Sequence, residues 1–269
     1  MALLEVRGLA RSFYGVHALN GVDLDVEAGT ITGLIGPNGA GKTTLFNCVS
    51  GVIPPERGLV RFDGEDVTGW PPDRITRRGL VRTFQIARGF PRLSVRENLM
   101  LYGARQPGEI LWKAWTRTAD VARRERELSS RAAAVARRLN LTRVLDDPAS
   151  ALSGGQKKLL ELGRALMTDP KLILLDEPIA GVNPALAREI GTHLEGLRAE
   201  GYTFLIIEHH LDVIARLCAP VIVMAEGRHL AQGTFAEVAA NERVQEAYMG
   251  ARNTMDGASR QGSRAPDSP

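Results

Sequence analysis

The sequence predicts an α/β protein in which a parallel-sheet core carries a phosphate-binding loop, an antiparallel β lobe precedes it and a helical lobe interrupts it. Three observations carry that reading. Residues 36–43 read GPNGAGKT between an apolar run and a helix-like segment, the context in which a glycine-rich loop wraps phosphates. The second half alternates helix-like stretches with short continuous apolar runs, KLILL at 171–175 and YTFLII at 202–207, as expected of strands covered on both faces. From Pro91 to Pro148 the chain has few β-branched residues and many Ala, Arg, Leu and Glu, which argues for helices.

Element by element, LLEVRGLARSFYG and HALNGVDLDVEAGTITGLIG alternate apolar and polar residues with glycine punctuation, which suits short antiparallel strands. Thr30 to Ile35 is a strand entering the phosphate loop, and Thr43 to Ser50 a helix stopped by Gly51 and Pro54-Pro55. GLVRFD at 58–63, with Gly64 as turn, returns to the β lobe. Val121, Leu128, Ala132, Val135 and Leu139 step by seven, four, three and four, so they share one helix face and form a buried stripe. Ala122 to Glu127 alternates charge and reads as a solvated face. Trp112 and Trp115 suit packing within the helical lobe, with a membrane-surface or partner-facing anchor as the alternative. Beyond Gln156 come an amphipathic helix, the 171–175 strand, a helix from Pro184 to Arg198 and the 202–207 strand. Val221–Ala225 and His229–Gln232 then flank Glu226-Gly227-Arg228 as a terminal hairpin. The expected organisation is one domain over 1–250 with the helical lobe at about 91–165, followed by a disordered tail, 251–269, too poor in large apolar residues to order itself.

Bulk properties narrow the function. A formal charge of +3 over 269 residues, with arginines scattered rather than gathered in a stripe, argues against a nucleic-acid partner. No apolar run approaches the ~18 residues of a membrane span, and the N-terminus lacks the pattern of a secretory signal, so a cytoplasmic location is expected. Cys48 and Cys218 lie far apart, in segments that read as helix, and suit buried free thiols.

The chemistry concentrates in four places. Gly36-Pro37-Asn38-Gly39-Ala40-Gly41-Lys42-Thr43 fits the nucleoside-triphosphate loop, with bare backbone for the phosphates, Lys42 for the outer phosphates and the Thr43 hydroxyl for Mg²⁺; Thr44 follows within the same site. LILLDE ends a strand in Asp176, placed to hold the metal, followed by Glu177, placed to polarise an attacking water. Glu208-His209-His210 ends the next strand, where His209 can reach a γ-phosphate; the rival reading, a metal site built from Glu208, His209, His210 and Asp212, lacks the HExxH spacing. Finally, ALSGGQKK at 151–158 puts small residues at the start of another helix, a second site favourable to an anion. Two such sites need two ligands or two chains.

GPNGAGKT, Gln85 in VRTFQ, LSGGQ, LILLDE and His209 occur in the order of the ATP-binding cassette family, which the chain resembles over nearly all of residues 1–250. The resemblance implies a P-loop NTPase core with a RecA-like sheet, and ATP with Mg²⁺ as ligands. It also implies roles: Phe13 stacking on adenine, with Tyr14 less favoured; Gln85 linking metal and water to the helical lobe; Glu177 as catalytic carboxylate; His209 as γ-phosphate sensor. In such cassettes two copies face head to tail, so Ser153, Gly154, Gly155 and Gln156 of one would close over nucleotide held by the other. Where many cassettes read SALD after the carboxylates, this chain reads Ala180-Gly-Val-Asn183-Pro184, which leaves the aspartate's role without a carrier. AGVNP, VRTFQ, FPRLSVRENL and the ending VQEAYMG resemble importer ATPases for branched-chain amino acids; urea and amide importers look similar. The implied partners are membrane permease subunits, an identical or related second ATPase and, indirectly, an extracytoplasmic solute-binding protein, with the chain on the cytoplasmic face of the membrane. A ribosome- or nucleic-acid-directed cassette would bring a long coiled-coil insertion or tandem cassettes, and a GTPase an N-K-x-D; neither is present.

Overall fold

The computed structural model describes residues 2–83, 90–103 and 118–249. Gln85, Ile86, Arg88, Trp112, Trp115 and the tail at 251–269 lie outside the described residues.

β1 (Ala2–Phe13) and β2 (Val16–Glu27) form an antiparallel hairpin joined by Tyr14-Gly15, both at positive φ, as a tight two-residue turn requires. These strands are long rather than short. Gly8 (φ +57°) does not end β1 but sits where the register slips between Val6 and Leu9, a bulge that keeps the strand paired. With β4 (Arg57–Phe62) and β5 (Glu65–Asp66) they make a four-stranded sheet in the order β2-β1-β4-β5.

The second sheet follows the order β10-β9-β3-β8-β7-β6, built from β3 (Ile31–Ile35), β6 (Leu80–Arg82), β7 (Leu172–Asp176), β8 (Thr203–Ile207), β9 (Val221–Ala225) and β10 (Arg228–Gly233). All neighbours run parallel except the terminal hairpin β9–β10. The continuous apolar runs are explained by two cores. Ile173 and Leu175 of β7, with Phe204 and Ile206 of β8, join the core formed with the helices. Leu172, Leu174, Leu205 and Ile207 join the core shared with the β lobe and α1 (Lys42–Val49). Successive side chains point to opposite faces of a strand, so a strand apolar at every position needs an apolar layer on each side.

Helices α2 (Pro72–Arg78), α3 (Val95–Met100), α4 (Thr118–Arg138) and α5 (Gly154–Leu166) lie between β5 and β7, and α6 (Pro184–Ala199), α7 (Leu211–Leu217), α8 (Phe235–Ala240) and a last helix over 242–249 complete the order. The stripe is buried as its spacing requires: Leu128, Ala132 and Val135 of α4, and Leu139 just past its end, are each less than a tenth exposed, while the side chain of Val121 lies outside the described residues. Both cysteines are buried and free; Cys48 lies in α1, whereas Cys218 sits one residue past α7 with extended backbone. Burial pushes the two thiols up to about 11 and about 12 respectively. No helix among the described residues is long and apolar enough to cross a membrane.

Candidate functional site

Parallel pairing sets the C-terminal ends of β3, β7 and β8 side by side: Leu34 pairs with Ile207, and Ile207 with Asp176. Whatever follows those three strands shares one crevice, the usual ligand position of an open α/β sheet. The phosphate loop follows β3, Glu177 follows β7, and Glu208-His209 follows β8.

The loop's glycines are structural necessities. Gly36, Gly39 and Gly41 have φ of +151°, +79° and +96°. A Cβ at Gly36 would lie 2.1 Å from the Met224 carbonyl oxygen, and one at Gly41 would lie 2.4 Å from that of Ala18. The backbone therefore stays bare, as close approach to phosphate demands. Asn38 and Gly39 are exposed at the tip, and α1 starts without a side-chain cap. Lys42 is 6 % exposed, and its Nζ donates to the carbonyls of Gly36 (2.8 Å) and Pro37 (3.0 Å). Burial holds its ammonium below the ordinary lysine range, while Glu177 and Asp176 pull it back up. Thr43 is exposed and Thr44 half-buried. The terminal hairpin buttresses the loop, since Gly227 N donates to Ala40 O (3.1 Å) and Gly227 O accepts from Asn20 N (2.8 Å).

Across the crevice, Glu177 adopts φ +51°, a left-handed conformation a side-chain-bearing residue rarely takes. Its amide donates to Ile207 O at 2.9 Å, which fixes the turn against β8. Holding a non-glycine residue in this conformation costs on the order of 1–3 kcal/mol. His209 Nε2 lies 3.1 Å from Glu177 Oε1, so the structure brings these two groups together. Glu208 is not beside them as a ligand. It is buried, with its carboxylate accepting from the amides of Ile179 (3.0 Å) and His209 (3.1 Å), and burial raises its pKa against those bonds. It thereby ties the turns after β7 and β8 together. Among the described residues no group of three or more His, Cys, Asp or Glu could hold a metal, which disposes of the Glu208–Asp212 metal site.

Asp176 is 8 % exposed and its Oδ2 accepts from Arg82 at 2.9 Å, while Arg82 also donates to Asn47 of α1 at 2.5 Å. Arg82 was not singled out from the sequence. Its signal, like that of Glu208, is a charge closing an apolar strand, in LVR and TFLIIE. Thr43 with Asp176 offers two oxygens, a donor set that fits Mg²⁺, which binds through few protein oxygens and completes its shell with water and phosphate. Gln85, expected as a third group, lies outside the described residues.

Phe13 is half-buried at the end of β1, with the Arg11 guanidinium 5.1 Å from its ring centre, whereas Tyr14 is fully exposed at the hairpin tip. The next residues of β2 bring Ala18 and Leu19 against Gly41, so the hairpin borders the loop.

LSGGQ forms a complete capping box at the start of α5. Ser153 Oγ accepts from Gln156 N (3.3 Å) and Gln156 Oε1 from Ser153 N (2.9 Å). Ser153 and Gly154 are exposed, and Gly155 packs against Leu186 of α6. The groove here is lined by Ser153 to Gln156 with Gly181 to Asn183, and by no residue of the phosphate loop. Asn183 caps α6, its Oδ1 accepting from Leu186 N at 2.9 Å, with Pro184 in the first turn. The position that breaks the SALD pattern thus does local structural work. Asn183→Ala is expected to destabilise the protein by about 1 kcal/mol in chemical denaturation, and Asn183→Asp to cost little, since either Asn or Asp caps well.

Residues 19–180 match the family model for the ABC transporter, and residues 228–253 match the model for the branched-chain amino acid ATP-binding cassette transporter. The chain is 41 % identical over 258 residues to a probable branched-chain amino acid transport ATP-binding protein LivG of Archaeoglobus fulgidus, covering 94 % of this chain and 98 % of that one. It is 39 % identical over 249 residues to the high-affinity branched-chain amino acid transport ATP-binding protein BraF of Pseudomonas aeruginosa, covering 92 % and 98 %. Among solved structures, a nucleotide-free ATP-binding cassette from an ABC transporter matches at TM-score 0.80 and 38 % identity, over 92 % of this chain and 99 % of that one. A cassette in its ADP conformation matches at 0.79 and 37 %, over 93 % and 99 %.

Proposed function

The chain belongs to the ABC transporter family of ATP-binding cassettes, and on that premise we propose that it is the ATP-hydrolysing subunit of an importer for branched-chain amino acids. The observation that supports this most is the crevice at the ends of β3, β7 and β8, where Lys42, Asp176, Glu177 and His209 come together on one chain. The near full-length relatives named for branched-chain amino acid transport support the solute class.

In this reading Lys42 and the backbone amides of the loop, which Pro37 cannot supply, hold the phosphates, and Phe13 stacks on the base. Thr43, Asp176 and Gln85 hold Mg²⁺, which when bound neutralises charge on the phosphate oxygens. Glu177 orients the water that attacks, and His209, bonded to Glu177, senses the terminal phosphate. Ser153 to Gln156 have no phosphate loop of their own chain in their groove, so they close over nucleotide held by a second ATPase subunit, identical or related, which closes in turn over the nucleotide held here. Charge compensation in the transition state is then complete only when two protomers close. The pair acts from the cytoplasmic face on membrane permease subunits supplied by a solute-binding protein outside.

The permease meets the segment after Gln85, around Ile86, Arg88, Phe90 and Leu93; of these Phe90 is 52 % exposed and Leu93 half-buried, while Ile86 and Arg88 lie outside the described residues. An exposed aromatic on the surface is a suitable anchor for a partner. Phe90→Asp is expected to reduce permease recovered in a pull-down about ten-fold while leaving ATP binding unchanged; equal recovery would place the docking surface elsewhere.

The function is tested by uptake of labelled leucine, isoleucine, valine and urea in cells with and without the Glu177→Gln chain. Loss of branched-chain amino acid uptake is the expected result. Loss of urea uptake alone would reassign the solute, and no loss of any would remove the transport reading.

A further inference from the structure

The polar core of the helical lobe contains one side chain that does more than fold maintenance requires. Asn98, in α3, is fully buried and uses its whole hydrogen-bonding capacity. Its Nδ2 carries two hydrogens and lies at hydrogen-bond distance from three carbonyls, those of Phe90 (3.0 Å), Leu93 (3.1 Å) and Ser94 (3.0 Å), so one hydrogen is shared between two of them, and its Oδ1 accepts from the Phe90 amide (3.2 Å). One amide therefore sets the shape of the 90–94 turn. The same Oδ1 accepts a 2.6 Å bond from the Arg164 guanidinium. Arg164 belongs to α5, eleven residues after Ser153, which at ~1.5 Å per residue is about 16 Å along the helix from the LSGGQ end.

The chemistry of the pair is selective. A carboxylate in place of Asn98 would hold Arg164 more strongly but could not donate to three carbonyls. An amide accepts from the guanidinium and donates two hydrogens to the turn, whereas a carboxylate has none to give and a hydroxyl only one. Arg164 gives up much for this arrangement, being 6 % exposed, with its Nε buried and without a hydrogen-bond partner. Among the described residues, the Tyr102 ring lies 5.5 Å from its guanidinium and Glu161 acts on it through space. A buried charge facing a neutral partner is poor value for stability alone. The packing beside it is equally unyielding: a Cβ on Gly163 would lie 2.9 Å from Leu99 Cδ2, so α3 and α5 touch where the polar link crosses.

We infer that the Asn98–Arg164 link is the joint through which the turn at 90–94, the surface given above to the permease, is coupled to the LSGGQ-bearing helix α5. The inference rests on the importer reading. A permease that shifts the turn shifts Asn98, and the shift reaches the far end of α5 as a change in how Ser153 to Gln156 meet the opposing nucleotide. Both residues are positioning residues, and neither touches ATP.

The test uses the whole transporter, purified through a tag on this chain, and compares ATP turnover of the complex with that of the free subunit. Arg164→Met cuts the link to α5 and leaves Asn98 on the turn; it also removes a partly unpaired buried charge, so folding is expected to survive. Recovery of the permease and turnover of the free subunit should stay within about two-fold of wild type, while the permease-dependent stimulation falls at least about five-fold, the low end of coupling between sites. Asn98→Asp, which keeps the pair and spoils the turn, should lose both stimulation and permease recovery. Unchanged stimulation in Arg164→Met would overturn the joint, as would loss of permease recovery in that variant. If it does not accumulate as folded protein by circular dichroism, Arg164→Leu, which also has no donor for Asn98 Oδ1, is read by the same two criteria. Absence of stimulation in the wild-type complex would overturn the importer reading and the joint with it.

Discussion

Replacing Lys42 with alanine is expected to remove ATP hydrolysis by about 10² to 10³-fold or more, the scale of deleting one preorganised charge from a phosphoryl-transfer site. The structure explains why little can stand in for it. Lys42 is buried at the root of the loop, with Nζ held by the Gly36 and Pro37 carbonyls within the loop it serves. Its ammonium is poised by opposing effects, burial against the nearby carboxylates of Glu177 and Asp176. Such a group can transfer its donors from carbonyl to phosphate with little movement. The alanine variant would lose that charge while the glycine-shaped backbone remains, so nucleotide affinity measured by fluorescent ATP analogue should fall together with turnover. Wild-type turnover in Lys42→Ala would refute the assignment of the loop.

Glu177→Gln is expected to separate binding from chemistry. The amide is close in shape to the carboxylate, and can still meet His209, which lies 3.1 Å from Glu177 Oε1. The left-handed backbone and the bond to Ile207 O should survive as well, because they belong to the main chain. What is lost is a basic oxygen for the attacking water, a change on the order of ~10²–10⁴-fold in hydrolysis. ATP binding should persist, and the unhydrolysed nucleotide should hold two protomers together. Size-exclusion chromatography with ATP and Mg²⁺ would show a dimer peak for Glu177→Gln that wild type loses as it turns over. A monomer in the same conditions, with ATP bound, would move the catalytic role to another residue.

The sequence and the structure agree where local chemistry decides conformation. GPNGAGKT required its glycines, LSGGQ opened a helix, and strands apolar at every position required two cores; each was legible because the cause lies within a few residues. Long-range pairings were not legible. Glycines in the first strands were read as stops, and Gly8 is instead a bulge within β1, because pairing with β2 and β4 overrides the local break. Arg82 on Asp176 and Glu208 on Ile179 depend on which strands become neighbours, which parallel topology alone determines. Asn183, distinctive in sequence as a departure from SALD, proved to be a helix cap, a role that Asn-Pro before an apolar-periodic run would also have announced.

The claim on which the account rests is that ATP is turned over only where two protomers meet. Specific activity of the isolated chain should be measured across a serial dilution from micromolar to low nanomolar at saturating ATP. The account predicts that turnover per mole falls as the protomers separate, and is restored when the diluted protein is concentrated again. Turnover per mole that stays constant to the lowest concentration, where light scattering shows only monomers, would contradict it.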